Sequence, residues 1–210
     1  MPTAIELAEN GFLPDWLVRM GIRRLLSKRL KGSRSTDVAA FAQRLRSGPL
    51  AVETQAANDQ HYEMPVEFFE SSLGPRMKYS SCLFPDASTS LAEAEKHMLR
   101  LTCDRAGISD GMRVLELGCG WGSLTLWIAE HFPKCQITAI SNSTSQRNFI
   151  QRRVQEQGYS NVRVITADMQ QFATDDKFDR IVSVEMFEHM RNYGLLFSRI
   201  ADWLTPLGKA

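Results

Sequence analysis

The sequence predicts an α/β fold, a doubly wound Rossmann-like parallel sheet preceded by a helical region. Three observations carry that expectation. From Gly111 onward short apolar runs alternate with segments of helical period. A glycine-rich turn, G-x-G-x-G, stands where the first apolar run passes into the first of those helices. The first fifty residues read as a run of helices separated by short breaks.

The elements follow in order. T-A-I-E-L-A-E-N-G reads as a short amphipathic helix stopped by Gly11, and Pro14 with Asp15 opens a second. In that second segment Val18, Ile22, Leu25, Leu26 and Leu30 fall on one side. Arg19, Arg23, Arg24, Lys28, Arg29, Lys31 and Arg34 supply basic charge, with no acid between Trp16 and Arg34. Such a helix suits either docking with a solvated face or peripheral contact with an anionic membrane. G-S-R-S-T at 32–36 has the composition of a linker. Residues 38–45 read as a further helix, and Gly48 with Pro49 as a break. Residues 51–110 mix short helices with the loop L-G-P-R-M-K-Y-S-S-C-L-F-P.

The core then runs R-V-L-E-L as strand, L-T-L-W-I-A-E-H-F as helix and Q-I-T-A-I-S as strand. S-Q-R-N-F-I-Q-R-R-V-Q-E-Q is a helix closed by Gly158, with V-R-V-I-T and F-D-R-I-V-S-V as the third and fourth strands. The expected organisation is a helical segment over 1–50, a helical and loop region covering the site over 51–110, and an α/β core over 111–210.

Composition narrows the function classes. The 210 residues are 43% hydrophobic and 23% charged, an ordinary globular balance and not that of a disordered or collagenous chain. A formal net charge of +1 gives nucleic-acid binding no compositional support. Cys82, Cys103, Cys119 and Cys135 form no C-x-x-C pair and have no histidine at ligand spacing, so no metal site is expected and a reducing compartment, the cytoplasm, fits. No apolar run reaches the ~18 residues of a membrane span.

The turn itself reads E-L-G-C-G-W-G, with Gly118, Gly120 and Gly122 at alternate positions. Glycine there admits positive φ and close approach of a ligand. A dinucleotide fingerprint would read G-x-G-x-x-G, with an acid about twenty positions on to grip a ribose. Here the end of the second strand offers Ser141 and Asn142 instead, which disfavours a nicotinamide cofactor. Glu116 just before the glycines suits a cationic ligand better than a pyrophosphate, which it would repel; capping of the next helix is its plainer use.

This arrangement resembles motif I of S-adenosylmethionine-dependent methyltransferases, in which the acidic residue lies near the cofactor's ammonium group. The likeness extends along the chain. N-D-Q-H-Y-E-M-P-V-E-F-F, L-G-P-R-M-K-Y-S-S-C-L-F, V-L-E-L-G-C-G-W-G-S-L, S-N-S-T-S-Q and S-V-E-M-F-E-H-M-R-N-Y together resemble the cyclopropane fatty-acid synthase superfamily, most closely its coclaurine N-methyltransferase branch. The resemblance implies a Rossmann-like class I methyltransferase sheet with S-adenosylmethionine as cofactor. Its contacts would fall on Tyr79, Ser80, Glu116, Gly118, Gly120, Gly122, Ser141, Asn142, Gln146, Asp168 and Met169. Independently of the family, residues 118–122, 141–146, 168–170 and 185–189 follow successive strands and so share the carboxyl edge of a parallel sheet, where open α/β folds bind ligands. Taken singly, Gln146 and Asp168 also suit a helix start or a turn.

After the fourth strand, V-E-M-F-E-H-M puts Glu185, Glu188 and His189 within five residues. Charges there are costly to bury unless paired or used; capping of the next helix is the bland alternative. In the N-methyltransferase branch, the resemblance implies, these residues contact the substrate amine and assist its deprotonation. Cyclopropane synthases tend instead to have glycine where Glu185 stands, and to read Y-S-C where this chain reads Tyr79, Ser80, Ser81 and only then Cys82. His61, Tyr62 and Glu63 are weaker pocket candidates, His97 pairs with Glu93 on a helix surface, and His131 caps its helix.

The function expected is S-adenosylmethionine-dependent N-methylation of a small amine. One alternative is methyl or methylene transfer to an unsaturated lipid, served by the basic helix; another is a cofactor-binding module without turnover. The resembled sheet has seven strands, whereas the sequence after Val184 suggests one helix and the turn T-P-L-G-K-A. The expected sheet therefore ends at the fourth strand, which becomes an exposed apolar edge.

Overall fold

The computed structural model describes residues 3–34, 37–52 and 64–210. Two compact units are present, one ending at Arg44 and the other running from Leu45 to Ala210. In the first, α1 (Ala4–Glu9) opens with a capping box in which Thr3 and Glu6 satisfy each other's backbone N–H groups. Helix α2 (Asp15–Arg34) buries no side chain. It runs straight through Gly32 and Ser33, so the expected linker is helical as far as Arg34. Two weak helix formers cost a twenty-residue helix only about 1 kcal/mol each or less, too little to stop it without a left-handed cap. The next helix, α3 (Val38–Ser47), ends at the expected Gly48–Pro49 break.

The second unit is the α/β core. Strands β1 (Arg113–Leu117), β2 (Gln136–Ser141), β3 (Val162–Thr166) and β4 (Phe178–Val182) are those the periodicity predicts. Between them and before them stand α4 (Val66–Ser72), α5 (Leu91–Ala106), α6 (Ser123–His131) and α7 (Thr144–Glu156); α8 (Tyr193–Trp203) follows a single 3-10 turn at Phe187–His189. Every strand pairing is parallel, in the order β3-β2-β1-β4-β5, and Val114 to Leu117 and Ala139 to Ser141 are fully buried, as a sheet covered on both faces requires. The sheet's two faces carry separate apolar clusters, one built on Leu115, Leu117, Ile140 and Ile181, the other on Val114, Trp127, Ile128 and Ile137.

The fifth strand corrects the sequence reading. T-P-L-G-K is not a terminal turn: Leu204–Lys209 forms β5, which pairs with β4 through Phe178 and Arg180 with a register shift between them, so β4 is interior and not an edge. The proline and glycine of this segment are accommodated because β5 is bonded on one side only among the described residues. Pro206 thus forfeits no ladder bond it needs. A Cβ on Gly208 would overlap the Phe178 carbonyl, which explains a glycine where the strands close up.

Candidate active site

The carboxyl ends of β1, β2, β3 and β4 surround a cavity of about 350 Å3, closed from outside the sheet by the Met77–Ser80 segment and by Leu99 and Thr102 of α5. The expected catalytic and cofactor-contact residues all line it except Gly122. The three glycines separate by what surrounds them. A Cβ on Gly118 would overlap the Met186 side chain and one on Gly122 would overlap Ile150, so both are places of close packing. A Cβ on Gly120 would meet nothing within 4 Å although φ is +52°, so the open space beside this backbone is the cavity itself.

Glu116 points from β1 into the cavity wall with 4% of its surface exposed. It caps no helix end. Its Oε2 accepts a 2.5 Å hydrogen bond from Thr125 Oγ1, in the first turn of α6. Burial pushes its carboxyl up to about 7, against the opposing pull of the Thr125 hydroxyl and the Lys78 charge.

On β2 and α7, Ser141 Oγ donates to Gln146 Oε1 at 2.7 Å, while Ser143 Oγ caps the helix by accepting from the Gln146 N–H. Gln146 is therefore both a helix-start residue and, with Ser141 and Asn142, part of the cavity wall. Asp168 likewise serves a turn, its Oδ1 accepting from Gln170 N at 2.8 Å, and lines the cavity beside Met169.

Beyond β4, the chain is held by Ser183 Oγ on the Leu117 carbonyl and by bonds from residues 190–192 to the segment ahead of the core. Arg191 N donates to Leu50 O, and Asn192 Nδ2 donates to the carbonyls of Arg46 and Gly48. Between these anchors Glu185 adopts φ +52°. A left-handed non-glycine residue costs about 1–2 kcal/mol, so the backbone favours glycine where this chain carries a carboxylate. Glu188 and His189 follow on the 3-10 turn, all three side chains exposed at the cavity mouth with Tyr79. Phe187 turns away and packs edge-on against Phe197, 5.8 Å between ring centroids.

Sequence reasoning missed the wall that holds Tyr79. Glu95 on α5 is fully buried, its two oxygens accepting from Arg76 N at 3.0 Å and Lys78 N at 3.1 Å. The legible signal was a carboxylate on the apolar stripe Glu95, Leu99, Thr102, Cys103 of a helix. Lys78, 7% exposed, lines the cavity too; nothing in its loop sequence marks it as buried.

Cys82 is partly buried, and burial together with Glu95 raises its thiol above the ordinary range. Glu93 forms no direct ion pair with His97 among the described residues, though the His97 charge acts on it from farther off; its carboxylate is held by Ser90 N and Oγ in the cap of α5. His131 binds the Trp127 carbonyl at 3.0 Å in the last turn of α6, as expected of a capping residue. His61, Tyr62 and Glu63 lie outside the described residues.

A glycine turn beside open space, a buried acid under it and strand-end polar side chains around it define a small-molecule site of the kind open α/β sheets build. The chain belongs to the mycolic acid cyclopropane synthetase family, whose model matches residues 51–209. It is 42% identical to the (S)-coclaurine N-methyltransferase of Thalictrum flavum subsp. glaucum over 97% of its own length and 58% of that protein's. Among solved structures, it resembles a coclaurine N-methyltransferase bound to N-methylheliamine and SAH with a TM-score of 0.84 at 37% identity, covering 96% of this chain and 60% of that one. It also resembles a mycolic acid cyclopropane synthase complexed with SAH and CTAB, with a TM-score of 0.67 at 30% identity, over 73% of this chain and 54% of that one. The chain thus spans about three fifths of the length of its N-methyltransferase relatives.

Proposed function

We propose that this chain carries the cofactor site and the amine-facing loop of an S-adenosylmethionine-dependent N-methyltransferase. The observation that carries this reading is the single cavity joining Glu116 and the open side of Gly120 at one end to Glu185, Glu188 and His189 at its mouth. The cofactor fits what is there: the volume lies within the range of small-molecule pockets, a Cβ would fill the space beside Gly120, and the buried acid suits an ammonium. Gly118, Gly120, Ser141, Asn142, Gln146, Asp168, Met169, Tyr79 and Ser80 would hold it, with Gly122 supporting the turn from behind. Bound there, S-adenosylmethionine would supply a sulfonium methyl group for in-line transfer.

The protein's own work is alignment, exclusion of water and handling of one proton. An amine of pKa near 10 is protonated at pH 7, and freeing its lone pair costs about 4 kcal/mol. Glu185 attracts the cationic acceptor and His189 takes the proton as the lone pair is engaged, with the Tyr79 ring, at the same mouth, favouring the cation by about 0.5–2 kcal/mol where its face is presented. A carboxylate retained at Glu185 against the preference of its backbone supports a demand for charge at that point. Residues 51–110 are proposed to cover the site and 111–210 to hold the cofactor. Four free thiols suit a cytosolic setting.

The family's other chemistry, transfer to an unsaturated lipid, has its own supporting observation in the basic helix α2, which would meet anionic membrane surface. The test uses radiolabelled S-adenosylmethionine with coclaurine-type amines in one arm and unsaturated anionic phospholipid vesicles in the other, analysed by mass spectrometry. N-methylated amine is expected. Label in the acyl chains, or bicarbonate-stimulated lipid modification, would replace the amine reading, and tight binding with no product in either arm would favour a module without turnover.

A further inference from the structure

Lys78 is a buried cation in the wall of this cavity, and the reading above gives it no task. Its position is specified from several sides. The Glu95 carboxylate binds the backbone N–H of Lys78 and that of Arg76, so the loop is gripped on both flanks of Met77. Met77 itself stands at φ +53°. Among the described residues, it and Glu185 are the non-glycine residues in the left-handed region, and both line this cavity. Strain kept at two points of one wall is a mark of a site held in shape for a ligand.

The Lys78 ammonium donates to Ser80 Oγ at 2.5 Å, and none of the described carboxylates forms an ion pair with it. Burial lowers its pKa, against the opposing pull of Cys82, Glu185, Glu116 and Glu95, none of them in contact with the ammonium. A buried ammonium with one hydroxyl partner is costly unless an anion completes its shell. Lys78 is also the charge that opposes the burial of Glu116. The cavity wall thus holds one buried acid and one buried base, neither in contact with a counter-charge among the described residues. That pattern complements a zwitterion, an α-amino acid presenting an ammonium and a carboxylate from one carbon.

We propose that Lys78 Nζ, beside the Ser80 hydroxyl, binds the α-carboxylate of the cofactor's amino-acid end, opposite the α-ammonium already matched to Glu116; the assignment rests on the S-adenosylmethionine reading of the site. Lys78 is then a recognition residue for the cofactor and not a base for the acceptor amine, although it shares a wall with Glu185. It selects ligands that carry the intact amino acid over nucleosides that have lost it.

Calorimetry on the 210-residue chain tests this without turnover. Three ligands are compared: S-adenosylhomocysteine, its decarboxylated analogue, and 5′-methylthioadenosine. Wild type is expected to prefer the first over the second by roughly 10- to 100-fold, as for a charged hydrogen bond. In K78M that preference should shrink to about threefold or less, with 5′-methylthioadenosine bound as before. A K78M protein that keeps the full preference, or a wild type that has none, overturns the assignment. If wild type binds none of the three, the cofactor reading itself has failed. Should K78M lose 5′-methylthioadenosine and hence its fold, wild type labelled with 13C at lysine Cε decides. The Lys78 signal must move with S-adenosylhomocysteine and stay with the decarboxylated analogue; equal movement with both refutes the contact.

Discussion

Replacing Glu116 by glutamine should stabilise the ligand-free protein and do so more at high pH. The wild-type carboxyl is raised by burial to about 7 from an ordinary 4.5. A carboxyl raised in the folded state lends stability in its neutral form, fully present below pH 4.5 and lost as pH rises through 7. A rise from 4.5 to about 7, at about 1.4 kcal/mol per tenfold in proton affinity, makes the loss about 3 kcal/mol by pH 8. Glutamine keeps the shape and an acceptor oxygen for Thr125 Oγ1 while removing the charge. Urea unfolding of both proteins at pH 5, 6, 7 and 8 reads the difference. The two stabilities should differ by about 1 kcal/mol at pH 5 and by about 3 kcal/mol at pH 8.

The same substitution should weaken S-adenosylhomocysteine, because the ligand's ammonium loses its counter-charge. In wild type, the ammonium favours the ionised acid, so binding near pH 6 should release protons, seen as a calorimetric heat that varies with the buffer's ionisation enthalpy. Parallel stability curves for wild type and E116Q from pH 5 to 8, together with proton-neutral binding, would refute the reasoning that this carboxyl is both buried and matched to a cation.

Other expectations follow from the same wall. Gly120→Val should fold, at a backbone cost of about 1–2 kcal/mol, yet lower S-adenosylhomocysteine affinity at least about tenfold. Gly122→Ala should lower the melting temperature instead, since its Cβ overlaps Ile150; equal effects of the two on melting and on binding would contradict the division. Glu185→Gly should raise stability by about 1 kcal/mol in thermal unfolding while amine methylation falls, because the φ of +52° is relieved and the charge is lost. His189→Ala should reduce turnover on an amine far more than calorimetric cofactor affinity; the reverse split would remove it from the acceptor side. Glu95→Ala should cost about 2–4 kcal/mol in urea unfolding, since it strips the backbone N–H groups of Arg76 and Lys78 of their acceptor.

Much of the site is legible in the sequence, because its logic is topological. Alternating strand and helix patterns dictate a parallel sheet. A parallel sheet dictates that the residues after each strand share one edge, so Gly118, Ser141, Asp168 and Glu185 had to converge. Residue type then narrows the chemistry, as with an acid before the glycines and the Glu185, Glu188, His189 group. What one sequence does not carry is the set of distances between segments far apart in the chain. Gly118, Gly120 and Gly122 look alike in sequence, and only Met186 and Ile150 arriving from elsewhere make two of them packing contacts and leave one open to the cavity. Glu185 reads as any polar residue after a strand until the anchors at Leu117 and Leu50 set its backbone to positive φ. Lys78 is buried because Glu95, seventeen residues on, grips its backbone. Strand β5 forms from a segment with poor strand propensity because β4 offers it an unpaired edge. Local pattern determined the elements and the edge at which they meet; burial, strain and charge pairing are properties of neighbours brought together by folding, and the tertiary structure alone decided them.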